Sequence, residues 1–205
     1  MKKSQFILFA AIGLFVTSCS SVDADVLDQE AEAMTYTLDA AKSSLGWKGS
    51  APDHFQEGTI SFSEGSVTME GEALTAGSFT VDMSSILPTS LEPEKADYLA
   101  AHLMGTMPDE QHPVNMFFNT PEFPDVTVTL GDFKDGNLEV TLDIIGSKLT
   151  QNVAVKIASD ENGASIKGSF SLDFKSLDMP GFGVDENGNG ISPVLEFDLD
   201  VALTK

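Results

Sequence analysis

Asp185, Asn187, Asn189, Gly190 and Glu196 stand at the spacing D-x-[DN]-x-[DN]-G-x5-E, the pattern with which a loop wraps oxygen ligands around calcium. Such a loop needs a helix on each side, whereas Glu196 opens an alternating, strand-like run and Pro193 interrupts the loop. Asn-Gly pairs are also favoured in tight turns, so a bare hairpin accounts for the same letters. His54, His102 and His112 are too widely spaced for a metal motif, although His102 and His112 share a segment with Asp109 and Glu110. Nucleophilic catalysis has no candidate, because no serine sits in a G-x-S-x-G elbow and the single cysteine, Cys19, closes an apolar run. No catalytic residue and no cofactor are assigned, and Asp185, Asn187, Asn189 and Glu196 are the only metal candidates. The expectation is a binding protein, not an enzyme.

Cys19 has a different use. Lys2 and Lys3 precede an apolar run from Phe6 to Val16, too short to cross a bilayer comfortably, and Val16-Thr17-Ser18-Cys19 follows. This reads as an export signal, and the small residues before the cysteine resemble the lipobox of bacterial lipoproteins. The resemblance implies cleavage ahead of Cys19 and acylation of the new terminus. One acyl chain binds a membrane marginally, at about 0.8 kcal/mol per buried CH2, whereas several chains hold almost permanently. Ser20 in place of an aspartate points to the outer membrane, facing the periplasm. The expected organisation is a signal peptide over 1–18, an acidic flexible tether over 19–34 and one domain over 35–205. With Cys19 acylated no thiol remains for a disulfide, so packing alone must stabilise the domain. The formal charge of −21, from 11 basic against 32 acidic residues, excludes nucleic acid and anionic lipid surfaces as partners.

From Thr35 onward, period-two alternation recurs to the last residue. It is clearest at Val126/Val128/Leu130, Leu138/Val140/Leu142/Ile144, Val153/Val155/Ile157, Ile166/Gly168/Phe170/Leu172/Phe174 and Leu195/Phe197/Leu199/Val201/Leu203. Weaker strands are expected at Tyr36 to Leu38, Leu45 to Lys48, Thr59 to Ser63, Ser66 to Glu70 and Ser78 to Met83. Turns are expected at Glu64-Gly65, Asp135-Gly136-Asn137 and Glu161-Asn162-Gly163. About nine or ten strands with short turns describe an all-β antiparallel meander, closed into an up-and-down, lipocalin-like barrel to remove its edges. A two-sheet sandwich satisfies the same periodicity. Only Leu91 to Phe118 departs from it: Ala96, Leu99, Ala100 and Leu103 fall at helical spacing within Glu92 to Met104. A short helix and loop there form either a cap over one barrel end or a plug of the core.

Tyr36-Thr-Leu-Asp-Ala-Ala-Lys-Ser-Ser-Leu45, Phe79-Thr-Val-Asp-Met-Ser-Ser-Ile86, His102-Leu103, Phe117-Phe118, Phe123-Pro124 and the hairpin from Leu138 to Val153 follow one another in the stretch from Tyr36 to Lys205. In that order they resemble the YceI-like family of polyisoprenoid-binding proteins of the bacterial envelope. The resemblance implies a lipocalin-like barrel with a long apolar pore that binds or carries polyisoprenoid-type lipids. Composition agrees with such a pore: 14 Phe and 8 Met against 1 Trp and 2 Tyr make an interior that is apolar and adaptable. The pore candidates are Phe62, Phe79, Val81, Met83, Leu103, Phe117, Phe118, Leu142, Phe170 and Phe197. With no arginine and no glycine-rich phosphate loop, a neutral or weakly polar head group, as in a quinone, an isoprenoid alcohol or an acyl chain, fits better than a pyrophosphate. The competing expectation is an interaction module with a filled barrel, such as a periplasmic adaptor or inhibitor.

Overall fold

The structure, a computed structural model, describes residues 32–177 and 179–205. Cys19, the signal peptide and most of the tether lie outside the described residues. The strands are β1 (Ala33–Leu38), β2 (Ser44–Ser50), β3 (Phe55–Glu70), β4 (Ala73–Pro88), β5 (Asp125–Lys134), β6 (Asn137–Ile144), β7 (Ser147–Ala154), β8 (Lys156–Ser159), β9 (Gly163–Asp173), β10 (Gly183–Val184), β11 (Gly190–Ile191) and β12 (Val194–Thr204). The one α-helix among the described residues, α1 (Pro93–Met104), follows β4. It starts with Pro93 in its first turn and stops at Gly105, whose φ of 71° is the left-handed turn that ends a helix. It coincides with the helix expected from Ala96, Leu99, Ala100 and Leu103.

The main sheet has ten strands in the order β7-β6-β5-β4-β3-β1-β12-β9-β8, with β2 pairing β12 and β3. Two strand positions are broken, which reduces the ten strands to an eight-position barrel. β1 lies between the far half of β3 and the end of β12, while β2 fills the same gap nearer their other ends. A 3-10 turn at Ala40–Lys42 separates the two. Likewise β7 pairs β6 and β8 pairs β9, with only Val155 between them. Gly168 of β9 passes close to this switch, where a Cβ would come within 2.5 Å of the Ala154 carbonyl. Towards the other end, the Gln151 side-chain amide donates to the Ser171 carbonyl, 3.2 Å away, and bridges β7 to β9. Neighbouring positions follow one another along the chain and pair antiparallel, and the last strand, β12, closes the ring on β1 and β2, so the meander forms an up-and-down barrel rather than a sandwich.

The expected break at Glu64-Gly65 is not a turn. β3 runs through it, and its register to β4 shifts between Phe62 and Glu64. One extra residue in a strand moves the inward set to the opposite parity. The buried residues accordingly change from Gly58, Ile60 and Phe62 to Val67 and Met69. Gly65 is required beside the shift, because a Cβ there would sit 2.1 Å from the Phe79 ring. β4 changes phase twice, burying Leu74, then Phe79, Val81 and Met83, then Ile86. At the second change the Ser85 hydroxyl takes up the Ser61 N–H at 2.7 Å. The turn at Asp135-Gly136 is as expected, both residues having positive φ (53° and 78°), as a type I′ hairpin requires. Tyr36, Val67, Met69, Leu74 and Leu203, all buried, close the barrel end away from α1.

Candidate binding cavity

Inward side chains from nearly every strand leave an apolar bore along the barrel, with a volume of about 180 Å³. Along β12 its wall runs from Leu195 through Phe197 and Leu199 to Val201, roughly 20 Å of strand at about 3.4 Å per residue. Phe62, Phe79, Val81, Met83, Leu103, Phe117, Phe118, Leu142, Phe170 and Phe197 all lie in this wall. Alternation brings the strand residues together, and the cap contributes Leu103, Phe117 and Phe118. An apolar cavity near 150 Å³ takes a benzene ring, so the bore as it stands holds one ring or a short stretch of chain. A longer ligand requires Phe and Met side chains to rotate, as unbranched and planar side chains can.

The mouth is built by the cap. Helix α1 lies over β4 and points Leu99 and Leu103 at the bore. The chain then returns beneath it: Phe118 N–H donates to the Leu103 carbonyl (3.1 Å) and Thr120 N–H to that of Met104 (2.9 Å). Phe117 and Phe118 are thereby held under the helix and meet Phe182, at ring-centre distances of 5.1 and 6.0 Å. Phe174 stacks on Phe182 at 5.7 Å and reaches Phe118 at 6.1 Å. These four rings form a lattice of three edge-to-face contacts and one stacked pair, geometries that aromatic quadrupoles favour. Gly181 makes room for it, since a Cβ there would lie 2.5 Å from the Phe117 ring, and its N–H donates to the Met116 carbonyl at 2.7 Å.

Phe174, Phe182, Leu99 and Trp47 also line the bore and were not singled out from sequence. Leu99 and Phe174 carry a periodic signal that would have identified them. Phe182 lies in the aperiodic run Met179-Pro-Gly-Phe-Gly183, where only its being aromatic between glycines draws notice. The side-chain nitrogens and oxygens in the wall belong to Ser50, His54 and Gln56, around the β2–β3 turn at the mouth, and to Trp47, one inward position deeper.

His102 and His112 come together at the cap, ring centres 4.6 Å apart, while His54 sits at the β2–β3 turn beside Asp53 (2.7 Å). His102 also packs on Tyr98 and Phe117. Burial, followed by the neighbouring His112, pushes its pKa below the usual histidine value, against a smaller opposing effect of Asp109. Asp109 accepts from His112 at 3.0 Å, and that bond, with the backbone N–H groups of Gln111 and His112, holds its carboxyl below the usual range. Among the described residues, no three His, Cys, Asp or Glu side chains converge on a metal position.

The Asp185 loop is a hairpin turn between β10 and β11. The Asp185 carboxylate accepts from the backbone N–H groups of Asn187 (2.8 Å) and Asn189 (2.9 Å), with a longer contact to the Asn189 amide. These bonds lower its pKa. Glu196 is not drawn into the loop: it lies on the outer face of β12, 3.6 Å from Lys48.

The family model of the YceI-like domain matches residues 36–203. The chain belongs to the YceI-like family. Among solved structures, the YceI-like barrel described above is similar to Burkholderia cenocepacia BcnA, at 17% identity and a TM-score of 0.60, covering 80% of this chain and 98% of that one. It is also similar to a polyisoprenoid binding domain from Saccharophagus degradans implicated in plant cell wall breakdown. That match has 16% identity and a TM-score of 0.57, and covers 86% and 99% of the two chains. At such identities the likeness speaks for the YceI-like fold alone. A comparison with curated protein sequences found no match.

Proposed function

We propose that this YceI-like protein is a membrane-tethered, non-enzymatic binding protein that holds one isoprenoid-type or other long-chain apolar lipid in the bacterial envelope. The observation that carries the reading is the bore itself, a continuous apolar wall from mouth to floor with almost no polar side chain. A flexible hydrocarbon tail is matched by a wall rich in Phe and bounded by a Phe lattice at its entrance. The fold shared with a polyisoprenoid binding domain supports the same reading.

The mouth end also carries exposed apolar side chains: Phe55 beside the β2–β3 turn, Tyr98 on α1 and Met107 just after it are each more than half exposed. A surface of this kind settles on a lipid interface. The segment after Cys19 joins β1 at Ala33, which pairs with Glu70 at the closed end of the barrel, so an acylated Cys19 holds the protein at the outer membrane's periplasmic leaflet and the mouth meets that leaflet when the barrel lies along it. The protein then extracts or holds lipid at one membrane rather than ferrying it across. The bore's small resting volume favours one competitor, a filled barrel that acts through its surface as an adaptor or inhibitor. Organic extraction and native mass spectrometry of the purified protein separate the two. A co-purified long-chain lipid is expected, and repeated recovery of lipid-free protein that takes up none in vitro would favour the filled barrel.

A further inference from the structure

One polar atom in the wall of the bore has no partner. Trp47 faces inward from β2 with 7% of its surface exposed, and its indole Nε1 is buried without a hydrogen-bond acceptor. A buried donor left unpaired is uncommon and carries a standing penalty. The position is nonetheless shaped for the ring. Trp47 pairs with Gly58 of β3, where a Cβ would lie 2.8 Å from indole Cε2 and Cζ2, and with Phe197 of β12, which stacks on Phe170 at 5.5 Å. A side chain at position 58 would displace the indole. Deeper along the same strands come Leu45 and Ile60, both apolar, so the Trp47 N–H is the innermost side-chain nitrogen or oxygen in the wall.

We infer that Trp47 Nε1–H is the donor that receives the polar end of the lipid held in the bore, and that this end carries a carbonyl or ether oxygen. The inference rests on reading the bore as a lipid site and narrows what that lipid is. An indole N–H donates and cannot accept. A hydroxyl head would bring a proton of its own to a position with no acceptor side chain, and a phosphate would need cations that this wall does not contain. A carbonyl or ether oxygen satisfies the indole and leaves nothing new unsatisfied.

The test uses two probes of equal length, a saturated long-chain methyl ketone and the corresponding n-alkane, titrated calorimetrically into the purified protein and its Trp47→Phe variant. Wild type should bind the ketone about tenfold more tightly than the alkane, the ratio that one added neutral hydrogen bond supports, and Trp47→Phe should bind both equally. Trp47 is the only tryptophan, so a second readout needs no variant: its single indole N–H resonance should move downfield with the ketone and not with the alkane. Equal binding of both probes by wild type, a ketone preference that survives in Trp47→Phe, or an unmoved indole resonance would overturn the assignment while leaving the lipid reading intact. Failure of folded wild type to bind either probe would overturn both.

Discussion

Leu142 and His102 show how single side chains set the properties of the site. Leu142 lines the bore but is only partly buried, so a larger side chain there fills the lumen with limited strain. Leu142→Trp is expected to cost about 1–3 kcal/mol by overpacking, read as a lowered Tm, and to reduce lipid uptake at least about tenfold. Full stability with full uptake would show that the bore does not run past this residue. His102 couples the cap to pH. Its pKa is depressed by folding, so the neutral ring supports the native state. That support is complete above the unfolded value of about 6.5 and is lost as pH falls through the lower folded value. The neighbouring His112 adds to this effect, and Asp109 offsets it in part. Amides of α1 should therefore lose exchange protection as pH falls below about 6.5, after correction for intrinsic rates, and lose less in His102→Gln; equal loss in both would remove His102 from the account. At this scale sequence located the rings that lie in period, such as Phe79 and Phe197. Phe182 escaped because a loop has no period, and Trp47 because it sits between Gly46 and Lys48 in a short, weakly alternating strand.

Strands with one phase were legible because a half-buried strand repeats every two residues. The runs that became β6, β9 and β12 were read nearly to their ends. β3 was read as two strands because a bulge moves its inward set from even to odd positions, and a phase change in sequence looks like a turn. Gly65 marks the place, and Gly65→Val is expected to cost about 1–3 kcal/mol, since the new Cβ meets both the Phe79 ring and the Ser78 carbonyl, the latter at 2.9 Å. A Tm unchanged by that substitution would mean that the two strands can move apart at the bulge. The broken positions, β1 with β2 and β7 with β8, were beyond periodicity altogether, because pairing partners leave no mark in a single strand. The Asp185 hairpin makes the converse point: a ligand-like spacing arises when one carboxylate collects backbone N–H groups. Millimolar calcium should leave the Tm of the protein where it is, and a rise abolished by Asp185→Ala would show that Glu196 leaves Lys48 to complete a site.

The barrel as a whole is acidic, closed at one end and apolar at the other. The formal charge of −21 keeps its sides off anionic surfaces, so contact with a bilayer falls to the mouth. Replacing Phe55, Tyr98 and Met107 together by serine should slow lipid extraction from zwitterionic vesicles several-fold without changing the Tm by more than a few degrees. An unchanged rate would place the approach to the membrane on another face. The fold class could be read from the meander, yet the size of the bore could not, because an interior of this composition packs shut or stays open by small rotations of the same Phe and Met side chains. The central claim is therefore tested most directly by native mass spectrometry of the purified protein, released into organic solvent for identification of what it carries. The account predicts one long-chain lipid per chain, absent from Leu142→Trp; a wild-type protein that is lipid-free as isolated and remains so after incubation with long-chain lipids would contradict it.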